Sequence, residues 1–504
     1  MYSRQPAINQ MGDRQSLIVF SHIKIKQFFF NVKSLLILLV ISPFFFSCNN
    51  VENNDTINEK QEPNFIFVLA DDQGWNGTSV KMMNNEPMSK SDYYETPNLE
   101  ILAKKGMRFS NAYASAPVCA PSRYSLQFGQ TPARLSLIRV GMNSDHINHQ
   151  GMLSIPKALK KLNKNYLAAH FGKWGMGSEP EAFGYDFSDG PTQNKAGGFL
   201  DNKEQWSYTI KEDPKKIFSV TNRAIEFVEK AIESNHPFYL QISHYAVHSS
   251  FEMQQSSLEK YQLKNKGKYQ KDPGLAAMTQ DLDVGLGVLL NKIKELGIEK
   301  NTYIIYMADN GSVPNVPGAK KYTHSYNHPL SRGKWDAMEG GVRVPLIIAG
   351  PGIDPGTESS TPVSGSDLLP TIAELAGEKN FNYDSIDGGS IRNLLFDKNN
   401  KVKRKVDGIF FHVPYQNGIA LKRPHSAVRK GDYKLIKFQD NGQTLLFNLI
   451  NDKQENKNLV IEHPQIARNM EKLLDEYLKA VHAPRWQPGI TWKKTPLKEI
   501  NSTY

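Results

Sequence analysis

The sequence predicts an α/β protein: a large, doubly wound mixed sheet flanked by helices, followed by a smaller C-terminal α+β domain. Three observations carry this. Short apolar runs bounded by polar residues recur along the chain and have the length of buried strands. Helical stretches alternate with them. Beyond a charged, core-poor connection at residues 397–407 (DKNNKVKRKVD), the pattern changes to paired strands and a final helix. The 504 residues are 39% hydrophobic and 22% charged, the composition of a globular protein with a sizeable core.

The elements follow in order. Lys24, Lys26 and Lys33 precede the apolar stretch 34–46 (SLLILLVISPFFF), which is short for a bilayer span and interrupted by Pro43. It ends Phe46-Ser47-Cys48 and resembles a bacterial lipoprotein signal, with residues 1–48 removed up to an acylated Cys48. Residues 49–63 are almost wholly polar and read as a flexible tether. Export and a lipid anchor in a bacterial membrane are therefore expected, at the outer membrane and facing periplasm or cell surface. Residues 64–396 form the predicted larger domain, with strands at 65–70, 166–171, 238–243, 303–308 and 344–349. Helices are expected from Thr96-Pro97 to a stop at Gly106, and over 217–233 and 274–296. Residues 397–504 form the smaller domain, with strands at 433–436 and 445–449 and a helix over 464–481. No internal repeat is present.

Formal net charge is +10, of which residues 1–48 carry +4. The mild excess on the remainder suits an anionic substrate, and a solvated Lys-rich surface explains it equally well. No nucleic-acid partner is expected. The two cysteines, Cys48 and Cys119, each sit in a motif of their own, so no disulfide between them is expected.

Two apolar runs end alike: Ala70-Asp71-Asp72 and Ala308-Asp309-Asn310-Gly311. Ligands gather at the carboxyl ends of strands in open α/β sheets. Adjacent strands ending this way bring three carboxylates and an amide oxygen together, and such carboxylates repel unless a cation lies between them. An all-oxygen set suits a hard ion such as Ca²⁺ or Mg²⁺ rather than zinc. Either pair alone reads equally as a helix cap or Asx-turn. In Cys119-Ala120-Pro121-Ser122-Arg123, Pro121 marks a helix start and sets Cys119 just before the helix N-terminus, where an anion is favoured. Taken alone, this is a reactive thiol or a buried structural cysteine.

With the downstream Leu126 and Gly129, C-A-P-S-R resembles the modification signature of the type I sulfatase family, within the alkaline phosphatase superfamily. Further segments follow in family order: T-P-N-L (96–99), G-M-R-F-S-N-A-Y (106–113), G-K-W (172–174), H-Y-A-V-H (244–248), A-D-N-G (308–311), R-G-K (332–334), E-G-G-V-R-V-P (339–345) and S-D-L-L-P-T (366–371). V-R-K-G-D-Y-K-L (428–435) and L-F-N-L-I-N-D-K-Q-E-N-K-N-L (446–459) resemble the smaller C-terminal domain. The resemblance implies an alkaline-phosphatase-like fold and a sulfuric ester hydrolase in which a maturation enzyme converts Cys119 to formylglycine. It implies that Asp71, Asp72, Asp309, Asn310 and the modified Cys119 hold Ca²⁺, in preference to Mg²⁺. One hydroxyl of the hydrated aldehyde would attack sulfur, and the other would drive release of sulfate. Arg123, Lys173 and Lys334 would face the sulfate, and His248 would bind it and protonate the leaving alcohol.

One departure stands out. After G-K-W the family commonly has histidine, where this chain has Gly175; His170 is the nearest substitute in sequence. The expected substrate is a sulfated oligo- or polysaccharide, an algal one such as ulvan or carrageenan, with a glycosaminoglycan as the alternative. Residues 320–335, including Tyr322, His324, Tyr326 and His328, are the candidate sugar subsite. A phosphatase or phosphodiesterase of the same superfamily fits less well, because those enzymes generally use Ser or Thr and histidine-rich zinc sites.

Overall fold

In the computed structural model, which describes residues 62–314, 327–397, 401–416 and 423–488, the apolar runs become neighbours in one sheet. Its strands are β1 (Asn64–Ala70), β2 (Met107–Phe109), β3 (Leu167–Gly172), β4 (Phe187–Ser188), β5 (Phe238–Ser243), β6 (Thr302–Ala308), β7 (Leu346–Ala349) and β8 (Thr357–Ser359). They lie in the order β8-β2-β7-β6-β1-β5-β3-β4. All neighbours are parallel except at β7, which runs against both β6 and β2. The sheet is mixed, as expected.

Phe65, Ile66, Phe67 and Leu69 of β1 are all fully buried. Successive strand residues point to opposite faces, so both faces of the sheet must be covered. The cover is helical. Helices α1 (Pro97–Lys105) and α3 (Ile217–Glu233) both pack on α4 (Pro273–Glu295), and α3 also packs on β3 and β5. Helix α2 (Cys119–Phe128) packs instead with the helix at Leu368–Leu375. Cys119 is the first residue of α2 rather than the residue before it; Val118 is the cap and Pro121 sits within the first turn. Gly129 ends the helix in the left-handed region, φ 62°.

The run expected at 344–349 starts its ladder at Leu346. Val344 donates its N–H to the Ala112 carbonyl instead, at 3.0 Å, and Pro345 has no N–H to give. Strands β2, β4 and β8 are too short to leave a sequence period.

The C-terminal sheet is an antiparallel meander of β9 (Ile409–Val413), β10 (His425–Lys430), β11 (Tyr433–Phe438) and β12 (Thr444–Asn448). Only β11 and β12 were legible in the sequence. Both its faces are buried. Phe411, Val413, Ala427, Ile436 and Phe447 pack against Tyr113, Ile138, Ala337, Met338 and Val342 of the larger part. Phe410, Val428, Leu435 and Leu446 pack beneath α5 (Pro464–Ala480) through Met470, Leu474 and Tyr477.

Cys48, the signal-like stretch and most of the tether lie outside the described residues. Among the described residues, no helix is long and apolar enough to cross a membrane.

One glycine ties the strand ends to a neighbouring loop. A Cβ on Gly311 would stand 1.9 Å from the Gly340 carbonyl oxygen, and both partners are backbone. Gly311→Ala should therefore lower stability by about 2–3 kcal/mol, read as a fall in thermal midpoint; an unchanged midpoint would show that the two loops separate freely.

Candidate active site

β1 and β6 are paired in parallel with Ala70 opposite Ala308, so the next residues, Asp71 and Asp309, emerge side by side. Backbone bonds hold this register past the strands. Asp309 N–H donates to Ala70 O at 3.0 Å, and Asp72 N–H donates to Asp309 Oδ1 at 3.1 Å. Asp72 turns back with φ 59°. On the other side Asp71 N–H reaches Ala246 O at 2.9 Å, and Val247 N–H reaches Asp71 O at 2.7 Å, which brings His248 alongside. Lys173 follows β3 and is fixed by its N–H on Ser243 O at 2.7 Å.

The cations arrive from three further segments. Arg123, one helical turn beyond Cys119 on α2, donates from Nε to Asp309 Oδ2 at 2.9 Å, with Nη2 at 2.8 Å from the same oxygen. Its Nη1 donates to the Lys173 carbonyl. Lys173 Nζ lies 2.5 Å from Asp71 Oδ2, and Lys334 Nζ 2.7 Å from Asp72 Oδ2. Asn310 Nδ2 donates to Asp72 Oδ1 at 2.7 Å, and His248 Nε2 stands 3.7 Å from Asp72 Oδ2. A donor atom from each of Asp71, Cys119 and Asp309 lies within 4.8 Å of the other two. All nine residues singled out in the sequence therefore share one site, and none is more than 8% exposed.

Three carboxylates are matched here by three basic side chains, so part of the expected repulsion is relieved by the protein itself. Two oxygens are not. Asp71 Oδ1 and Asn310 Oδ1 are buried and accept no hydrogen bond. Unpaired buried oxygens beside a carboxylate cluster fit a hard cation with oxygen ligands.

Burial opposes ionisation of Asp71, but the charges of Lys173, His248, Arg123 and Lys334 together outweigh it and hold its carboxyl below the usual range. Burial, reinforced by the Asp71 charge, pushes Asp309 up to about 6. Burial would lower Lys334, yet Asp72 holds its ammonium above the ordinary value. His248 is pushed down to about 4 by burial and then by Lys334. Its Nδ1 lies 2.5 Å from the Ser249 carbonyl, which can only accept, so Nδ1 carries the proton of the neutral ring.

His170 is not brought to Cys119. Its Nε2 pairs with Ser243 Oγ at 3.0 Å, its ring packs edge-on against Trp174 and Tyr185, and burial pushes it down to about 3. Gly175 has φ 71°, and a Cβ there would meet Arg123 Cδ at 3.1 Å. Any side chain at 175 must press on the stem of Arg123, whose guanidinium binds Asp309. Tyr322, His324 and Tyr326 lie outside the described residues, while His328 stacks on Tyr269 at 4.0 Å. Two site neighbours left no sequence signal: Asn194, whose Nδ2 is 3.5 Å from His248 Nε2, and Phe199, whose ring meets the imidazole edge-on at 5.0 Å. Both come from an irregular loop without a motif.

The sulfatase family profile matches residues 63–378, and that of the N-sulphoglucosamine sulphohydrolase C-terminal region matches 334–483. A protein of Formosa agariphila named sulfatase is 27% identical over 94% of this chain and 98% of its own length. An ulvan-active sulfatase of the same organism is 24% identical over 84% of this chain and 82% of its own. Among solved structures, Ps i-CgsB in complex with k-i-k-neocarrahexaose superposes with a TM-score of 0.67 at 26% identity, covering 86% of this chain and 96% of that one.

His170 and His244, the latter pushed down to about 4 by burial, stay neutral in the folded protein. The unfolded chain protonates both near about 6.5, so it binds more protons than the folded state below that pH. Stability should therefore fall as pH drops from about 6.5 towards 4. Denaturant midpoints measured across that range should show a slope that His170→Gln reduces; a slope unaffected by the substitution would contradict the assignment.

Proposed function

The chain belongs to the sulfatase family, and from that premise we propose that it is a calcium-dependent sulfatase acting on a sulfated carbohydrate through formylglycine made from Cys119. The observation that carries the reading is the convergence of Asp71, Asp309 and Cys119 within 4.8 Å, with Arg123 and Lys173 paired onto those carboxylates and Lys334 onto the neighbouring Asp72.

Asp71 and Asn310 have open oxygens for the cation, and Asp72 and Asp309 would complete its oxygen ligands with the modified residue 119. Bound calcium would draw charge from the sulfate oxygens, and a formylglycine hydrate at 119 would supply the attacking hydroxyl. Arg123, gripped by Asp309 and the Lys173 carbonyl, cannot swing away, so its charge is aimed before substrate arrives. Lys173 and Lys334 add fixed positive charge where negative charge grows on the departing sulfate. His248 can protonate the leaving alcohol from Nε2 only as the imidazolium, because its neutral ring carries the proton on Nδ1. Asp72 beside it favours that form. With Gly175 in the place of the family's usual histidine, deprotonation at residue 119 falls to another group or to water.

An algal polysaccharide such as ulvan or carrageenan is the substrate this reading favours. It is supported by the relative named ulvan-active and by the similar structure that holds a neocarrahexaose. The proposal extends to export and lipid attachment at Cys48, supported by the lysine-flanked apolar stretch before it.

Protein from a host with the maturation enzyme should show an aldehyde at residue 119 by peptide mass spectrometry. Cys119→Ala should lose sulfate release by about three orders of magnitude or more. A fully active protein with an unmodified thiol would sink the mechanism, and silence against every defined sulfated oligosaccharide would remove the substrate class. Calcium added to chelator-treated enzyme should raise the thermal midpoint by a few degrees, as any ligand of the native state does. Asp309→Asn should abolish most of that rise, and an equal shift in both proteins would place the ion elsewhere.

A further inference from the structure

Lys334 sits in the stretch Ser331–Glu339, and both ends of that stretch meet one carboxylate. Glu455 Oε2 accepts from the Ser331 hydroxyl and, at 2.7 Å, from the Glu339 backbone N–H. Gly340 N–H donates to the Ser331 carbonyl at 2.8 Å and closes the same loop. The loop's middle is held by two more backbone bonds. Lys334 N–H reaches Ser312 O at 2.9 Å, and Trp335 N–H reaches Pro117 O at 2.9 Å, two residues before Cys119.

The clamp belongs to the C-terminal sheet domain. Glu455 follows β12 and is turned inward with φ 55°. Its Oε1 lies 3.0 Å from Lys434 Nζ, from β11, and the same ammonium is 3.0 Å from Glu339 Oε1. All three side chains are fully buried. Tyr113 donates to the other Glu339 oxygen at 2.9 Å. A buried ion group of this kind adds little stability over a well-packed apolar one, but removing one member strands the others. What it supplies is geometry: two loop ends fixed relative to the meander beneath them.

We infer that Glu455, neutralised by Lys434, is a positioning residue for Lys334, so that the C-terminal sheet domain sets the cation opposite Asp72. Its effect on catalysis rests on the sulfatase reading above; its effect on the loop does not.

The test uses full-length matured enzyme with a small aryl sulfate. Ser331→Ala and Glu455→Gln should each lower kcat about tenfold, and should cost less than about twofold further when Lys334 is already alanine. Hydrogen exchange at the amides of residues 331–339 should quicken in both variants. It should not quicken in Lys437→Met, which cuts the part-buried pairs from β11 to Asp475 and Glu471 of α5. Equal losses with and without Lys334, or exchange unchanged by both clamp variants, would overturn the assignment. Ser331→Ala leaves every charge in place and decides the matter if Glu455→Gln does not fold. If wild-type enzyme releases no sulfate from any ester, the proposed function fails, and exchange alone decides the clamp.

Discussion

The site depends on one constraint: β1 and β6 are parallel neighbours in register, and each ends in an aspartate. Once that pairing forms, two carboxylates are forced together where both are fully buried. Burying them is unfavourable unless positive charge comes with them. Arg123, Lys173 and Lys334 therefore have to converge from a helix, a strand end and a loop. The buried run Phe65–Ala70 of β1 and its covered faces supply the hydrophobic stabilisation against which this charged cluster is held.

The same constraint explains how tightly the neighbours are packed. Arg123 is bound on one side by Asp309 and on another by the Lys173 carbonyl, and Gly175 leaves just enough room beside it. A histidine at 175 would compete with the guanidinium for that space. His170, the nearest alternative in sequence, is committed to Ser243 and to an aromatic nest, so the residue next to Cys119 has no histidine of either origin among the described contacts.

The C-terminal meander is more than an appendage. One of its faces is covered by α5, and the other meets Ala337 and Met338 of the Lys334 loop and Val342 just beyond it. Apolar packing and the Glu339–Lys434–Glu455 group thus act on the same stretch of chain. Packing brings the surfaces together, and the ion group fixes which backbone groups face each other.

The sequence by itself marked the apolar strands, the helices at Pro97–Lys105, Ile217–Glu233, Pro273–Glu295 and Pro464–Ala480, and the nine residues that the fold brings together. These were legible because their signals are local: an apolar run, a cap, a motif of fixed spacing. Strands β2, β4 and β8 were not, because two or three residues carry no period, and neither were the first two strands of the meander, where His412 in β9 and Arg429 in β10 are polar residues at buried positions. Only the tertiary structure decided that Cys119 begins its helix, that His170 faces away from it, that Asn194 and Phe199 border His248, and that Glu455 clamps the loop of Lys334. The last three are meetings of residues tens to hundreds of positions apart, and no local pattern encodes which buried group will be nearest.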